Sequence, residues 1–159
     1  PVAADTSAVV TLSSIGRLDL LRHLWPIVWL PQVCIVELVG QGEWPQARQA
    51  QNELAKEEWL LPWKGQLEFQ VPSGKLGKGE IEAVSLAYQE KCECLIDDKK
   101  GRAFADFIGV NAIGTFGVLK RCKAEGVISV AKPLICEMQH YGFRCRPELI
   151  AEVLAEMNE

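Results

Sequence analysis

The chain has 159 residues, 48% hydrophobic and 24% charged, and carries a net charge of −4. That balance supports one globular domain with a sizeable core and excludes a disordered chain. It also argues against a protein that coats nucleic acid generally, which would be basic, while local Lys and Arg can still hold phosphates in an enzyme that acts on it.

No apolar run approaches the roughly 20 residues needed to span a bilayer, so no membrane association is expected. The start lacks a basic segment followed by an apolar one, so no signal peptide is expected; the first residue is Pro1 rather than Met, which suggests trimming there. The six cysteines, Cys34, Cys92, Cys94, Cys122, Cys136 and Cys145, form no Cys-x-x-Cys pair, and His23 and His140 lie far from them. A disulfide framework and a zinc site are both disfavoured, and the cysteines read as small apolar residues of a reduced, cytoplasmic protein.

Apolar runs alternate with helical patterns along the chain, which is the signature of βαβ units and a parallel sheet. A short strand at 2–4 precedes a helix through Leu12, for which Thr6 and Ser7 offer N-cap chemistry. After Gly16, Leu18, Leu20, Leu21 and Leu24 mark a second short helix. Residues 27–30 read as a strand ended by Pro31, which starts a helix over 32–39. A loop at 40–44 leads to an exposed helix over 45–57, then a strand over 59–63 and an irregular stretch over 65–75. The strongest helix spans 80–90, with Ile81, Val84, Leu86 and Ala87 as its buried stripe. A strand at 95–96, a helix over 101–108, a strand over 110–113 and a helix over 115–124 follow. Thr115 is expected to cap this last helix and Gly126 to stop it. Helices over 133–141 and 147–156 complete a single domain, 1–159, with no repeat or linker.

The acids are spread along this pattern at the ends of apolar segments. Asp5 follows the first strand, Glu37 interrupts an apolar helix, Glu80 opens the strong helix, and Asp97 and Asp98 follow Leu95-Ile96. In an open parallel sheet the carboxyl ends of the strands share one edge, where ligands bind. Acids delivered there from distant segments would converge, and converging carboxylates are tolerable chiefly around a hard divalent cation. Taken singly, each has a plainer reading: Asp5 as a helix cap, Glu37 as a surface acid, Glu80 as a carboxylate favoured by the helix dipole with Glu82 as its alternative, and the Asp pair as a solvated turn. Lys99, Lys100 and Arg102 then follow directly, and cations beside clustered carboxylates fit metal-assisted hydrolysis of phosphodiesters. Residues 77–80 lack the nucleotide-loop pattern and residues 114–117 lack the dinucleotide fingerprint.

In order and spacing, Asp5-Thr6-Ser7, Pro31 leading to Glu37-Leu38, Leu76-Gly77-Lys78-Gly79-Glu80, Leu95-Ile96-Asp97-Asp98 with Arg102 and Ala105, and Gly114-Thr115 resemble PIN-domain proteins. The resemblance is closest to the DUF3368 branch, which is similar to VapC-type toxins. It implies a three-layer α/β/α sandwich with a central, mainly parallel sheet, Mg²⁺- or Mn²⁺-dependent ribonuclease activity, and homodimers. Carried over, it implies Asp5, Glu37, Glu80 and either Asp97 or Asp98 as catalytic acids, with Asp5, Glu80 and Asp97 or Asp98 holding the metal. Lys99, Lys100, Arg102 and Thr115 would face the RNA, and a cognate antitoxin would cover the pocket. Glu80 stands where the family more commonly has Asp. Two alternatives compete: a PIN-like module that binds RNA or protein without cutting it, and a phosphoryl-transfer protein. The second is disfavoured because Ser7 stands where a haloacid-type phosphatase wants its second Asp.

Overall fold

A computed structural model describes every residue of the chain except Gln41 and Ser73, so the expected loop at 40–44 and irregular stretch at 65–75 each include one position outside the described residues. Among the described residues five short strands form one sheet in the order β3-β2-β1-β4-β5. They are β1 (Val2–Ala4), β2 (Val28–Leu30), β3 (Leu60–Pro62), β4 (Glu93–Leu95) and β5 (Ala112–Ile113), and every pairing among them is parallel. Side chains alternate across it, as the two-residue period requires. Val2, Ala4, Val28, Leu30 and Leu95 enter one core, while Ala3, Cys94 and Ile96 enter the other.

The first core is covered by α1 (Thr6–Ser14), α2 (Asp19–Leu24), α4 (Arg48–Lys56), α7 (Thr115–Ala124), α8 (Lys132–His140) and α9 (Pro147–Glu156). The second is covered by α5 (Lys78–Glu90) and α6 (Lys99–Phe107). Helices on both faces make this the expected α/β/α sandwich. Residues 83–87 of α5 are buried without a break, so the middle of this helix is enclosed on all sides, while Tyr88 and Glu90 at its end are exposed. Its buried Ser85 is satisfied: the hydroxyl donates to Ile81 O at 2.7 Å and accepts from Val71 N at 3.0 Å, which ties the preceding loop over the helix. The remaining helix, α3 (Gln32–Gly40), buries Cys34 and Leu38 and leaves Val36 and Val39 exposed. Among the described residues no helix is long and apolar enough to cross a membrane.

The boundaries differ from expectation where local chemistry decides them. The helix expected over 45–57 is a 3-10 turn at Pro45–Ala47 followed by α4, because the Trp44 carbonyl accepts from Ala47 N in a tight turn. Helix α6 starts at Lys99, two residues early, because Asp98 caps it. Thr115 does not cap α7. Gly114 holds that position, and a Cβ there would lie 3.0 Å from both Arg102 Nη1 and Asp97 Oδ1.

Strand order places the site. The chain winds from β1 outward to β2 and β3, then returns across to β4 and β5. The order therefore reverses between β1 and β4, and an open sheet has its ligand crevice at that switch, beyond the carboxyl ends of the strands. Leu95, in β4 and fully buried, helps hold this junction. Truncating it to Ala should cost about 2–5 kcal/mol, read as a lower denaturant midpoint with an unchanged slope.

Candidate metal centre

Asp5 is the first residue past β1, and its N–H donates to Leu95 O at 2.9 Å, which stitches it to β4. Its side chain is 6% exposed and makes no capping bond to α1. Instead Ser7 Oγ donates to Oδ2 at 2.9 Å, and the Cys34 thiol donates to Oδ1 at 3.8 Å. Glu37 projects from α3 to the same place, where its Oε2 accepts from Thr6 Oγ1 at 2.9 Å. Ligand atoms of Asp5, Cys34 and Glu37 all lie within 4.8 Å of one another.

Gly79 of α5 forms the facing wall. A Cβ there would meet Asp5 Oδ1 at 3.0 Å, Cys34 Sγ at 3.2 Å and Glu37 Oε2 at 3.4 Å. Glu80, next along, turns one oxygen back to accept from Gly77 N at 2.9 Å in a capping box. Burial pushes its carboxyl above the ordinary range, and the nearby charges of Asp98, Asp5 and Glu37 push it further. The cleft bounded by Asp5, Glu37, Gly79 and Glu80 measures about 380 Å³, with Trp44 and Lys78 at its border. Glu82 does not line it.

The Asp pair is divided in role. Asp97 accepts from Thr115 N at 2.6 Å and Thr115 Oγ1 at 2.7 Å. Burial raises its pKa and the charge of Asp5 adds to that, while the Thr115 bonds and Arg102 oppose it. Asp98 caps α6 by accepting from Gly101 N at 2.7 Å. The Arg102 guanidinium donates to the backbone carbonyls of Ile96 and Asp97 and so braces the turn that carries both acids. Lys99 and Arg102 line a groove that begins at Asp97, whereas Lys100 lines a separate surface depression with Lys75 and Phe104.

Cys34 escapes a sequence reading that treats every cysteine as apolar filler. The available signal is its spacing to Glu37, three residues along one helix face. Burial and the Asp5 charge push its thiol well above the ordinary range, so it stays protonated and acts as a donor to Asp5. The centre is therefore an oxygen site. Among the described residues none of Asp5, Glu37, Glu80, Asp97 and Asp98 makes an ion pair with Lys, Arg or His. The three acids that line the cleft, Asp5, Glu37 and Glu80, form a cluster of the kind that suits a hard divalent cation.

Gly79→Ala tests the cleft. The new methyl crowds Asp5, Cys34 and Glu37, while alanine favours the helix by up to about 1 kcal/mol. The melting temperature should hold and Mn²⁺ affinity should fall at least tenfold by calorimetry.

The protein is thus an all-parallel α/β/α domain with an acidic cleft at its topological switch, the place where open sheets of this kind bind ligands. The chain belongs to the DUF3368 family of PIN domains, whose family model matches residues 1–159. Among solved structures it is similar to a PilT N-terminus domain protein from the hyperthermophilic archaeon Sulfolobus solfataricus P2, with 17% identity, a TM-score of 0.48, and coverage of 73% of this chain and 87% of that one. No curated protein matches it.

Proposed function

We propose that this chain is a metal-dependent endoribonuclease that hydrolyses RNA phosphodiester bonds with Mg²⁺ or Mn²⁺. The observation that carries this reading is the convergence of Asp5, Glu37 and Glu80 on one cleft opposite Gly79. Asp5 and Glu80, with Asp97 or Asp98, would hold the ion, and Glu37 would complete the acidic wall. When bound, the ion lowers the pKa of a coordinated water and stabilises charge on the scissile phosphate. The protein supplies orientation: Ser7 and Cys34 fix Asp5, Thr6 fixes Glu37, and Thr115 fixes Asp97. Lys99 at the edge of Asp97 offers a cation to the substrate backbone. The test is digestion of a mixed-sequence RNA: fragments should accumulate with Mn²⁺ or Mg²⁺ and not with EDTA.

This reading extends to a toxin of a toxin–antitoxin pair, whose antitoxin covers the cleft with a basic side chain. The exposed faces of Val36 and Val39, 59% and 56% accessible on α3, support a homodimer. Six free cysteines support a reducing cytoplasmic setting. One observation favours a second reading, a PIN-like module that binds RNA or protein without cutting it: Glu80 commits an oxygen to its own helix cap. Calorimetric titration with Mn²⁺ separates the two, since a module without a working centre should release little heat.

A further inference from the structure

The Asp97 edge of the centre opens into a groove of about 630 Å³ between α7 and the connection from α8 to α9. Five cations border it: Lys99, Arg102, Lys120, Arg144 and Arg146. Two are already committed, since Lys120 pairs with Glu156 and Arg102 is held by backbone carbonyls. Among the described residues Lys99, Arg144 and Arg146 make no ion pair. Arg144 and Asp97 also border a second cleft, of about 320 Å³, which runs past Ser7 and Trp44. The two clefts thus form one lane that passes Asp97, with Arg144 where they meet.

The connection that carries these arginines is anchored. Gly142 ends α8 at φ +99°, and Phe143 N returns to Met138 O at 3.0 Å. Phe143 then packs edge-on against Phe116 of α7, with ring centroids 5.5 Å apart. Arg144 follows directly, held beside Asp97 by a fixed backbone while its own side chain stays exposed. Unpaired guanidinium groups on a rigid edge next to an acidic centre suit phosphate oxygens, which they bind in fork geometry.

We infer that the connection between α8 and α9 is an RNA-backbone clamp in which Arg144 and Arg146, with Lys99, hold phosphates beside the scissile bond. This rests on the ribonuclease reading for its choice of partner, and it gives the C-terminal helices a role. The arginines act by positioning, so their loss should raise KM and leave kcat in place.

The experiment measures fluorescence anisotropy of a 5′-fluorescein, 12-nucleotide single-stranded RNA, in EDTA, across a salt series. The full chain is compared with Arg144→Ala/Arg146→Ala. The control, Arg22→Ala/Lys91→Asn, makes the same charge change at residues preceding β2 and β4, the opposite sheet edge. The clamp variant should bind at least tenfold more weakly, with a log–log salt slope smaller by about 1.4, the value for two lost phosphate contacts on a single strand. The control should stay within about twofold of the unmodified chain, a change small beside the loss of one phosphate contact. In Mn²⁺ the clamp variant's KM should rise by the same factor at unchanged kcat. Equal binding and cleavage by the clamp variant and the unmodified chain overturn the clamp and leave the nuclease reading standing. Arginine-dependent binding without any cleavage by the unmodified chain sustains the clamp and removes the nuclease reading. Arginine-dependent capture of a labelled oligoglutamate, tighter than that of the RNA, overturns the clamp in favour of an acidic protein partner.

Discussion

Asp5→Asn should lower metal-dependent RNA cleavage by about 10³-fold or more while leaving the fold intact. Loss of partners that merely orient metal ligands already costs about 10–100-fold, and Asp5 stands at the centre itself. The amide is nearly the same size, and its carbonyl oxygen can still accept from Ser7 Oγ, as Oδ2 does now at 2.9 Å. What the substitution removes is one negative charge and one ligand oxygen. Because the Asp5 charge pushes the pKa values of Glu80 and Asp97 upward, its removal relieves repulsion. The metal-free variant should therefore melt no lower than the unmodified protein. Initial rates in Mn²⁺ together with melting curves in EDTA check both halves.

The second large effect is a coupling between pH and metal. Glu80 and Asp97 both have carboxyl groups raised in the fold, chiefly by burial and then by neighbouring acids. A raised carboxylate binds its proton more tightly in the folded state than in the unfolded one. Its contribution is therefore present below the unfolded value, about 4, and is lost as pH rises through the folded value. In EDTA, stability should fall as pH climbs above the ordinary carboxylate range. Mn²⁺ needs the ligands deprotonated, so its affinity should rise over the same interval. At a hundred times its dissociation constant an ion adds about 2.7 kcal/mol, or roughly 5–10 °C for a domain of this size. Differential scanning at pH 5 and pH 7.5, each with Mn²⁺ and with EDTA, should show a larger metal-dependent shift at pH 7.5 than at pH 5.

The parallel architecture was readable because buried strands and helices alternate with turn residues at βαβ spacing. Strand-end position accounts for Asp5, one residue past β1, and Asp97, two residues past β4, whereas Glu37 and Glu80 reach the cleft beside Asp5 from helices α3 and α5. What sequence could not resolve was orientation. That Asp97 turns to Thr115 while Asp98 turns to Gly101 depends on where the β5–α7 junction sits, which is a tertiary fact. The same holds for Thr115: its position at a helix start suggests a cap, but Gly114 takes that place and the Thr115 hydroxyl goes to Asp97. Cys34 looks apolar in sequence and becomes a neighbour of Asp5 only when α3 packs against α1 and α5. The basic C-terminal connection lies more than 40 residues beyond Asp97 in the chain, and tertiary packing, including that of Phe143 on Phe116, brings it beside Asp97.

The most direct measurement is a crystal of the protein soaked in Mn²⁺ and measured at the manganese absorption edge. An anomalous peak within bonding distance of Asp5 and Glu80, together with an Asp97 or Asp98 oxygen, is the expected result. A fully soaked crystal with no peak in this cleft, or with its only peak away from Asp5, would contradict the metal centre.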